Sequence, residues 1–201
     1  MKKNPLNIMF GDFTYYNRHT MYSRYTPLAI GNIAQFAKQE FKDDIEVSIF
    51  KNVEKFLEKA KEKKPNVVAF SVYYWALDLT KYVAMQCRKI FGDDVTIVLG
   101  GPCIDSNKNQ QIKFLTKTFP WADVIAVNEG ELSFNSIIRR LIAGKKEDAF
   151  KEPIDGASFM LDKELIQGKP TGLTIDLSTV GSPYLSGLLD DFMNTDYQPL
   201  I

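Results

Sequence analysis

Short runs of apolar residues alternate along the chain with longer stretches in which apolar positions recur every three to four residues. The runs predict buried β-strands, and the longer stretches predict amphipathic helices. The predicted strands are residues 6–10, 45–50, 67–72, 95–99 and 123–127. The predicted helices are residues 26–39, 52–63, 77–91, 110–118 and 132–143. Because strands and helices alternate strictly, right-handed crossovers should place the strands in one parallel sheet that has helices on both faces.

This pattern predicts the α/β fold class, with a doubly wound, flavodoxin-like and therefore Rossmann-like sheet of five parallel strands. The predicted domain covers residues 1–144, since Gly144 follows the last helix. From Lys145 the pattern becomes short, β-like and interrupted by Gly and Pro. Segments 156–159, 160–161 and 173–177 predict a hairpin or an extended arm, within a C-terminal extension and linker over residues 145–201.

Composition and charge narrow the classes of function. The chain has 201 residues, and Lys+Arg and Asp+Glu are both 25, so the formal net charge is zero. A neutral chain lacks the basic surface that nucleic acids and anionic membranes attract. No apolar run approaches the roughly 20 residues that span a bilayer, and the N-terminal run is too brief for a signal peptide. We therefore expect a cytoplasmic protein that binds neither nucleic acid nor a membrane.

Residues suited to catalysis or metal binding are scarce. Cys87 and Cys103 are the only cysteines, and His19 is the only histidine. Two cysteines cannot hold a four-cysteine iron–sulfur cluster or a closed zinc site, and they are consistent with a reducing compartment. No Ser–His–Asp or Cys–His arrangement can be assembled around a histidine without an evident partner. The sequence predicts neither catalytic nor metal-ligating residues.

In an open doubly wound sheet, ligands bind beyond the carboxyl ends of the strands. The loops at that edge are residues 11–24, 71–76, 100–105 and 128–131. The first loop is long for a strand–helix connection, which favours a functional role. It contains neither G-x-G-x-x-G nor a P-loop motif, so a classical dinucleotide or nucleoside triphosphate site is disfavoured.

Glycine, serine and aromatic residues in the other loops are candidates for ligand contact. Gly100-Gly101 would let the backbone approach a bulky ligand, although a tight turn alone explains such a pair. Ser71 can hydrogen-bond a ligand, and Tyr73 and Trp75 can wall a flat ring, although each aromatic could also be core. Gly130 weakens a helix start unless close backbone approach requires it.

Taken together, these loops resemble the cobalamin-binding domain that precedes the catalytic barrel of cobalamin-dependent radical S-adenosylmethionine enzymes. The resemblance is carried in order by residues 70–75 (FSVYYW), 98–102 (VLGGP) and 127–131 (VNEGE). Residues 182–190 (SPYLSGLLD) are similar to the linker that leads into the radical domain of that family. No CxxxCxxC motif follows before Ile201, so we expect the radical domain, with its iron–sulfur cluster and S-adenosylmethionine site, to be missing here.

The resemblance implies cobalamin as the cofactor, a methyltransferase as the parent enzyme, its radical domain as the partner, and no turnover by this chain alone. It implies that Ser71 and Gly100-Gly101 border the nucleotide tail of cobalamin, and that Tyr73 and Trp75 sit near the corrin ring. Glu129, Gly130 and Glu131 would flank the same tail from the neighbouring strand. The complete implied cofactor-binding set is Gly11, Asp12, Tyr15, Ser71, Tyr73, Trp75, Gly100, Gly101, Pro102, Asn128, Glu129, Gly130 and Glu131.

The chain departs from familiar cobalamin patterns at two places. Many cobalamin domains outside this family carry D-x-H-x-x-G after the first strand, and the histidine binds cobalt from below. Here Asp12 is followed by Phe-Thr-Tyr, and His19 does not have that spacing. We therefore expect cobalt to be bound without a protein histidine, with an aromatic residue such as Trp75 over its lower face. Asn128 stands where the family more often has glycine.

Two other functions are compatible with the same sheet and ligand edge. A flavodoxin-like domain could bind a flavin or another nucleotide, although a phosphate-binding loop after the first strand is missing. A domain that binds no cofactor could use its aromatic loops to dock a partner protein. Retention of hydroxocobalamin or of FMN after desalting separates these alternatives.

Overall fold

The computed structural model describes residues 4–17, 20–21, 25–171 and 179–193. The strands are β1 (Leu6–Gly11), β2 (Tyr16–Asn17), β3 (Thr20–Met21), β4 (Ile45–Phe50), β5 (Val67–Ser71), β6 (Thr96–Gly100), β7 (Val124–Ala126), β8 (Ala157–Leu161) and β9 (Glu164–Gln167). The helices are α1 (Leu28–Phe41), α2 (Val53–Lys63), α3 (Leu77–Phe91), α4 (Lys108–Lys113), α5 (Gly130–Ala143) and α6 (Lys146–Ala149). None of the helices in these ranges is both long and apolar enough to cross a membrane.

The main sheet has the strand order β4-β1-β5-β6-β7-β8-β9. Its first five members pair in parallel, which confirms the predicted α/β fold with a doubly wound, flavodoxin-like parallel sheet. The chain runs outward from β1 to the edge strand β4 and then returns to β5 on the other side of β1. The strand order therefore reverses beside β1, which is where such sheets open a crevice for a ligand.

The predicted C-terminal extension contains a hairpin. Strand β8 pairs antiparallel with β7, and β9 pairs antiparallel with β8, so the hairpin continues the same sheet. Ala157 and Phe159 from β8 enter the hydrophobic core. The sequence did not predict β9, and the predicted segment 173–177 lies outside the described residues. A separate two-stranded pair, β2 and β3, lies within the loop that follows β1.

The parallel strands are buried on both faces, and successive residues point to opposite layers. In β1, Ile8 and Phe10 join the core cluster under α1 and α5, whereas Met9 joins the cluster under α2 and α3. The same alternation places Ala69 in the first cluster and Val68 in the second. The sheet is therefore covered on both sides, as its continuous apolar strands predict.

Three helices begin two residues away from the positions expected from sequence. Helix α1 covers Leu28–Phe41 instead of residues 26–39. Helix α4 begins at Lys108 because the Asn107 side chain accepts hydrogen bonds from the backbone N–H groups of Asn109 and Gln110. Its predicted continuation, Phe114–Thr118, is a π-helical turn. Helix α5 begins at Gly130 rather than at residue 132, so a sequence that reads as a loop forms the first helical turn at the ligand edge.

Candidate cofactor-binding site

A pocket of about 330 Å³ opens at the carboxyl ends of β1, β5, β6 and β7, between the first turns of α1 and α5. Its size lies in the range of small-molecule sites. Of the residues predicted from sequence, it is lined by Ser71, Tyr73, Gly100, Gly101, Pro102, Asn128, Gly130 and Glu131. Gly11, Asp12, Tyr15, Trp75 and Glu129 do not line it.

Most of the buried lining of the pocket is apolar. We call the lining residues that belong to the core cluster under α1 and α5 the pocket floor: Phe10, Ile30, Ala69, Val98, Ala126 and Phe134, each at most 6% exposed. Three of its strand residues form one row across the sheet, because Phe10 lies opposite Ala69 and Ala69 lies opposite Val98 in the strand register. Ala69 and Ala126 are small residues in strands otherwise rich in Val, Ile, Leu and Phe, so they leave space above the sheet.

The two glycines at the carboxyl end of β6, Gly100 and Gly101, serve different purposes. Gly101 has φ +105°, and an added Cβ would lie 2.9 Å from the backbone nitrogen of Val72, so both its conformation and its surroundings require glycine. The N–H of Val72 donates to the carbonyl of Gly100 at 2.7 Å, which joins the loops after β5 and β6. A Cβ at Gly100 would find its nearest neighbour 3.9 Å away, so the missing side chain at this position widens the pocket.

The loop between β7 and α5 forms the opposite wall. Asn128 adopts φ +63°, the left-handed conformation that Asn tolerates better than most residues. This conformation explains why Asn can stand where the resembling family more often has glycine. A Cβ at Gly130 would lie 2.4 Å from the Cδ1 atom of Ile33, so glycine permits α5 to approach α1 closely beside the pocket. Glu129 occupies the N-cap position of α5.

An aromatic pair stands at the rim after β5. The ring of Tyr73 lines the pocket and stacks on Trp75, with centroids 4.6 Å apart and planes inclined by 15°. Burial raises the pKa of the Tyr73 phenol, a hydrogen bond with Ser71 opposes that rise, and the Asp12 carboxylate adds to it. Trp75 is 64% exposed, so a large flat surface faces solvent at the ligand edge.

The first loop contributes structure rather than pocket lining. A Cβ at Gly11 would lie 2.4 Å from the ring of Phe13, so Gly11 makes room for a buried aromatic residue. Asp12 forms an ion pair with Lys51 at 3.6 Å, and its backbone N–H donates to the carbonyl of Phe50. Burial raises the pKa of the Asp12 carboxyl and lowers the pKa of the Lys51 ammonium, and in each case the partner's charge opposes the shift. Tyr15 is 40% exposed. His19 lies outside the described residues.

Most of the pocket lining lies outside the loops in which the sequence predicts ligand contact. The missed lining residues are Phe10, Ala29, Ile30, Asn32, Ile33, Ala69, Phe70, Val98, Ala126 and Phe134. One signal was available: Ala69 and Ala126 are the single alanines of their strands, and both point to the α1 and α5 face. The contribution of α1 could not be read from sequence, since it depends on how α1 and α5 pack side by side.

Comparison with known proteins identifies the family of this chain. A family profile described as "B12 binding domain" matches residues 17–138, which is more than half of the chain. A solved structure of a novel cobalamin-binding protein from Desulfitobacterium hafniense DCB-2 is similar, with 18% sequence identity and a TM-score of 0.48. The similarity covers 68% of this chain and 59% of that one. None of the curated proteins matches the chain. The chain belongs to the B12-binding domain family, and its cofactor is cobalamin.

Proposed function

We propose that the pocket between α1 and α5 receives the nucleotide tail of cobalamin, and that the chain is a cofactor-presenting module rather than a catalyst. The observation that carries this proposal is an open apolar pocket at the carboxyl edge of the sheet, with space left above the small residues Ala69 and Ala126 of its floor. A flat aromatic base fits such a site, since apolar walls with a few polar groups at the rim are typical of cofactor pockets. When bound, cobalamin supplies a cobalt centre that can carry a methyl group.

Polar side chains at the rim support the same assignment. Among the described residues, the side chains of Asn32, Asn128 and Glu131 have no hydrogen-bond partner, although they line the pocket. Asn128 is exposed, whereas Asn32 and Glu131 are half-buried. These groups are therefore available to the ribose or amide groups of the cofactor, while the apolar floor takes its base.

Blocking the pocket tests the proposal. Ala29 lines the pocket but is exposed on α1, so Ala29→Trp should fill the entrance without overpacking the core. We expect hydroxocobalamin affinity to fall at least about tenfold, measured by equilibrium dialysis with visible absorbance. Lys38→Trp, at an exposed position on the same helix, is the matched control and should bind like wild type. Equal affinity in all three proteins, or equal retention of FMN, would contradict the proposal.

We further propose that cobalt is bound without a protein histidine, and that the stacked Tyr73–Trp75 pair lies near its lower face. The exposed indole of Trp75 at the ligand edge supports this assignment. Electron paramagnetic resonance of the Co(II) form should then show no hyperfine splitting from a protein nitrogen. Nitrogen splitting that disappears in His19→Ala would refute it.

The finer assignment, also a proposal, is that the chain serves a radical S-adenosylmethionine methyltransferase in the cytoplasm. The similarity of residues 182–190 to the family's linker supports it. Within residues 182–190, Pro183 and Leu189 lie beside Gly31 of α1, one of the two helices that flank the pocket, and the hydroxyl of Tyr184 lies 2.9 Å from that of Thr26, just before α1. Sequencing the gene beyond codon 201 tests this proposal directly. We expect an in-frame CxxxCxxC motif, whereas a different domain there would rule the assignment out.

A further inference from the structure

The chemistry of the pocket floor bears on which corrinoid the protein takes. Natural corrinoids share a ring but differ in the base at the end of the nucleotide tail. Some carry dimethylbenzimidazole, which is mostly apolar, and others carry a purine such as adenine, which has several ring nitrogens and an exocyclic amino group. A pocket that buries this base can distinguish the two classes only through the groups it presents to the base's edges.

The floor presents no side-chain hydrogen-bonding group. Its six residues are all apolar, and the remaining buried polar side chain in the described lining is Ser71, which lies at the carboxyl end of β5, outside the floor. In the described part of the chain, the buried side-chain oxygens without a partner belong to Asn7 and Asn135, and neither residue lines the pocket.

The backbone hydrogen-bonding groups beneath the floor are also paired within the sheet. Ala69 lies in β5, which is paired in parallel with β1 on one side and β6 on the other. Val98 lies in β6, between β5 and β7. The carbonyl of Gly100 accepts a hydrogen bond from Val72. The N–H and C=O groups of interior strands are hydrogen-bonded to the neighbouring strands, so few of them are available to a base stacked over the sheet.

We infer that the pocket selects corrinoids whose lower base is dimethylbenzimidazole over those with a purine base. The inference rests on the proposed placement of the nucleotide tail in this pocket. A buried purine would leave its ring nitrogens and amino group unpaired, and an unpaired buried polar group is costly. The two methyl groups of dimethylbenzimidazole would instead add apolar contact with the floor. Both effects favour the same ligand.

The test compares three corrinoids on the whole chain by equilibrium dialysis: cobalamin, its adenine-containing analogue, and cobinamide, which lacks the nucleotide tail. We expect cobalamin to bind about tenfold to a hundredfold more tightly than the adenine analogue. Equal binding of cobalamin and the adenine analogue, both tighter than cobinamide, overturns the selectivity but retains the tail pocket. Equal binding of all three, or of none, overturns the tail pocket and the selectivity together.

A variant of the floor locates the selectivity. Ala126→Ser places a hydroxyl in the floor, and we expect the preference for cobalamin to narrow several-fold as the adenine analogue gains a partner. Ala37→Ser is the matched control, because Ala37 is a buried alanine of the same core cluster that does not line the pocket. Thermal unfolding of both variants verifies that they fold. If the preference for cobalamin over the adenine analogue is unchanged in Ala126→Ser, or narrows equally in Ala37→Ser, the selectivity does not come from the pocket floor.

Discussion

Individual residues around the pocket are constrained by backbone conformation more than by chemistry. Gly101 and Asn128 both have positive φ. Gly101 lies in the turn that follows β6, and Asn128 lies in the loop that precedes α5. Asn has a short polar side chain that tolerates this region, whereas a β-branched residue clashes there. The presence of Asn at position 128 therefore preserves the loop geometry that a glycine would allow.

This conformation gives a prediction at position 128. Asn128→Gly should change the free energy of unfolding by less than about 0.5 kcal/mol, whereas Asn128→Val should lower it by about 1–2 kcal/mol. Urea denaturation measures both values. The Val variant should also weaken cobalamin binding, since Asn128 lines the pocket.

Lys64 offers a matched control for that prediction. It also has positive φ, at the end of α2, and it does not line the pocket. Lys64→Val should lose similar stability but retain the affinity for cobalamin. An Asn128→Val protein that is as stable as wild type would show that the backbone conformation is not what constrains this residue.

Elements with strong periodicity were predictable, and features that depend on how elements pack were not. The apolar runs identified β1, β5 and β6 because interior parallel strands are buried on both faces. The start of α5 was placed two residues late because Gly130 disfavours a helix, and its close approach to Ile33 is visible only once α1 lies beside α5. The Asp12–Lys51 pair likewise depends on β4 lying next to β1, which strand order decides and local sequence does not.

The same ion pair makes a prediction about the connection between β1 and β4. Lys51→Met should destabilise the fold by about 3 kcal/mol, because it leaves a mostly buried carboxylate without its partner. Replacing both residues, Asp12→Leu with Lys51→Met, should recover much of that loss. Urea denaturation at pH 7 measures the two variants, and equal losses in both would contradict the argument.

The pH dependence of that pair has a definite sign. The pKa of Lys51 is lowered in the folded protein, so toward pH 10.5 the unfolded chain binds more protons, and this pair's contribution to stability rises with pH. The pKa of the Asp12 carboxyl is raised above 3.8, so near and just above pH 3.8 the folded chain binds more protons than the unfolded chain. The contribution of this pair to stability therefore falls as pH rises through that range. The stability difference between wild type and the double variant should follow both trends. A stability difference between wild type and the double variant that does not change with pH would contradict both trends.

At the scale of the whole molecule, α1 connects the cofactor pocket to the C-terminal segment. One part of its surface lines the pocket through Ile30 and Ile33. Another part carries residues 179–193, which we call the strap. The strap is held by contacts along the helix: the side-chain oxygen of Gln39 accepts from the Gly181 N–H at 3.1 Å, and a Cβ at Gly31 would lie 3.2 Å from Leu189. The hydroxyls of Thr26 and Tyr184, 2.9 Å apart, join the strap to the start of the helix.

Because the strap and the pocket share α1, loosening the strap should weaken the pocket wall. Leu189 is fully buried, so Leu189→Ala removes an apolar contact of the strap and should release it locally. We expect faster hydrogen exchange over residues 179–193 and a several-fold loss of cobalamin affinity, since binding must then also order α1. Leu185→Ala is the matched control, because Leu185 is 91% exposed on the same strap and should change neither measurement. Faster exchange in Leu189→Ala with unchanged affinity would show that the strap and the pocket are independent, and that α1 is rigid enough to hold the wall of the pocket without the strap.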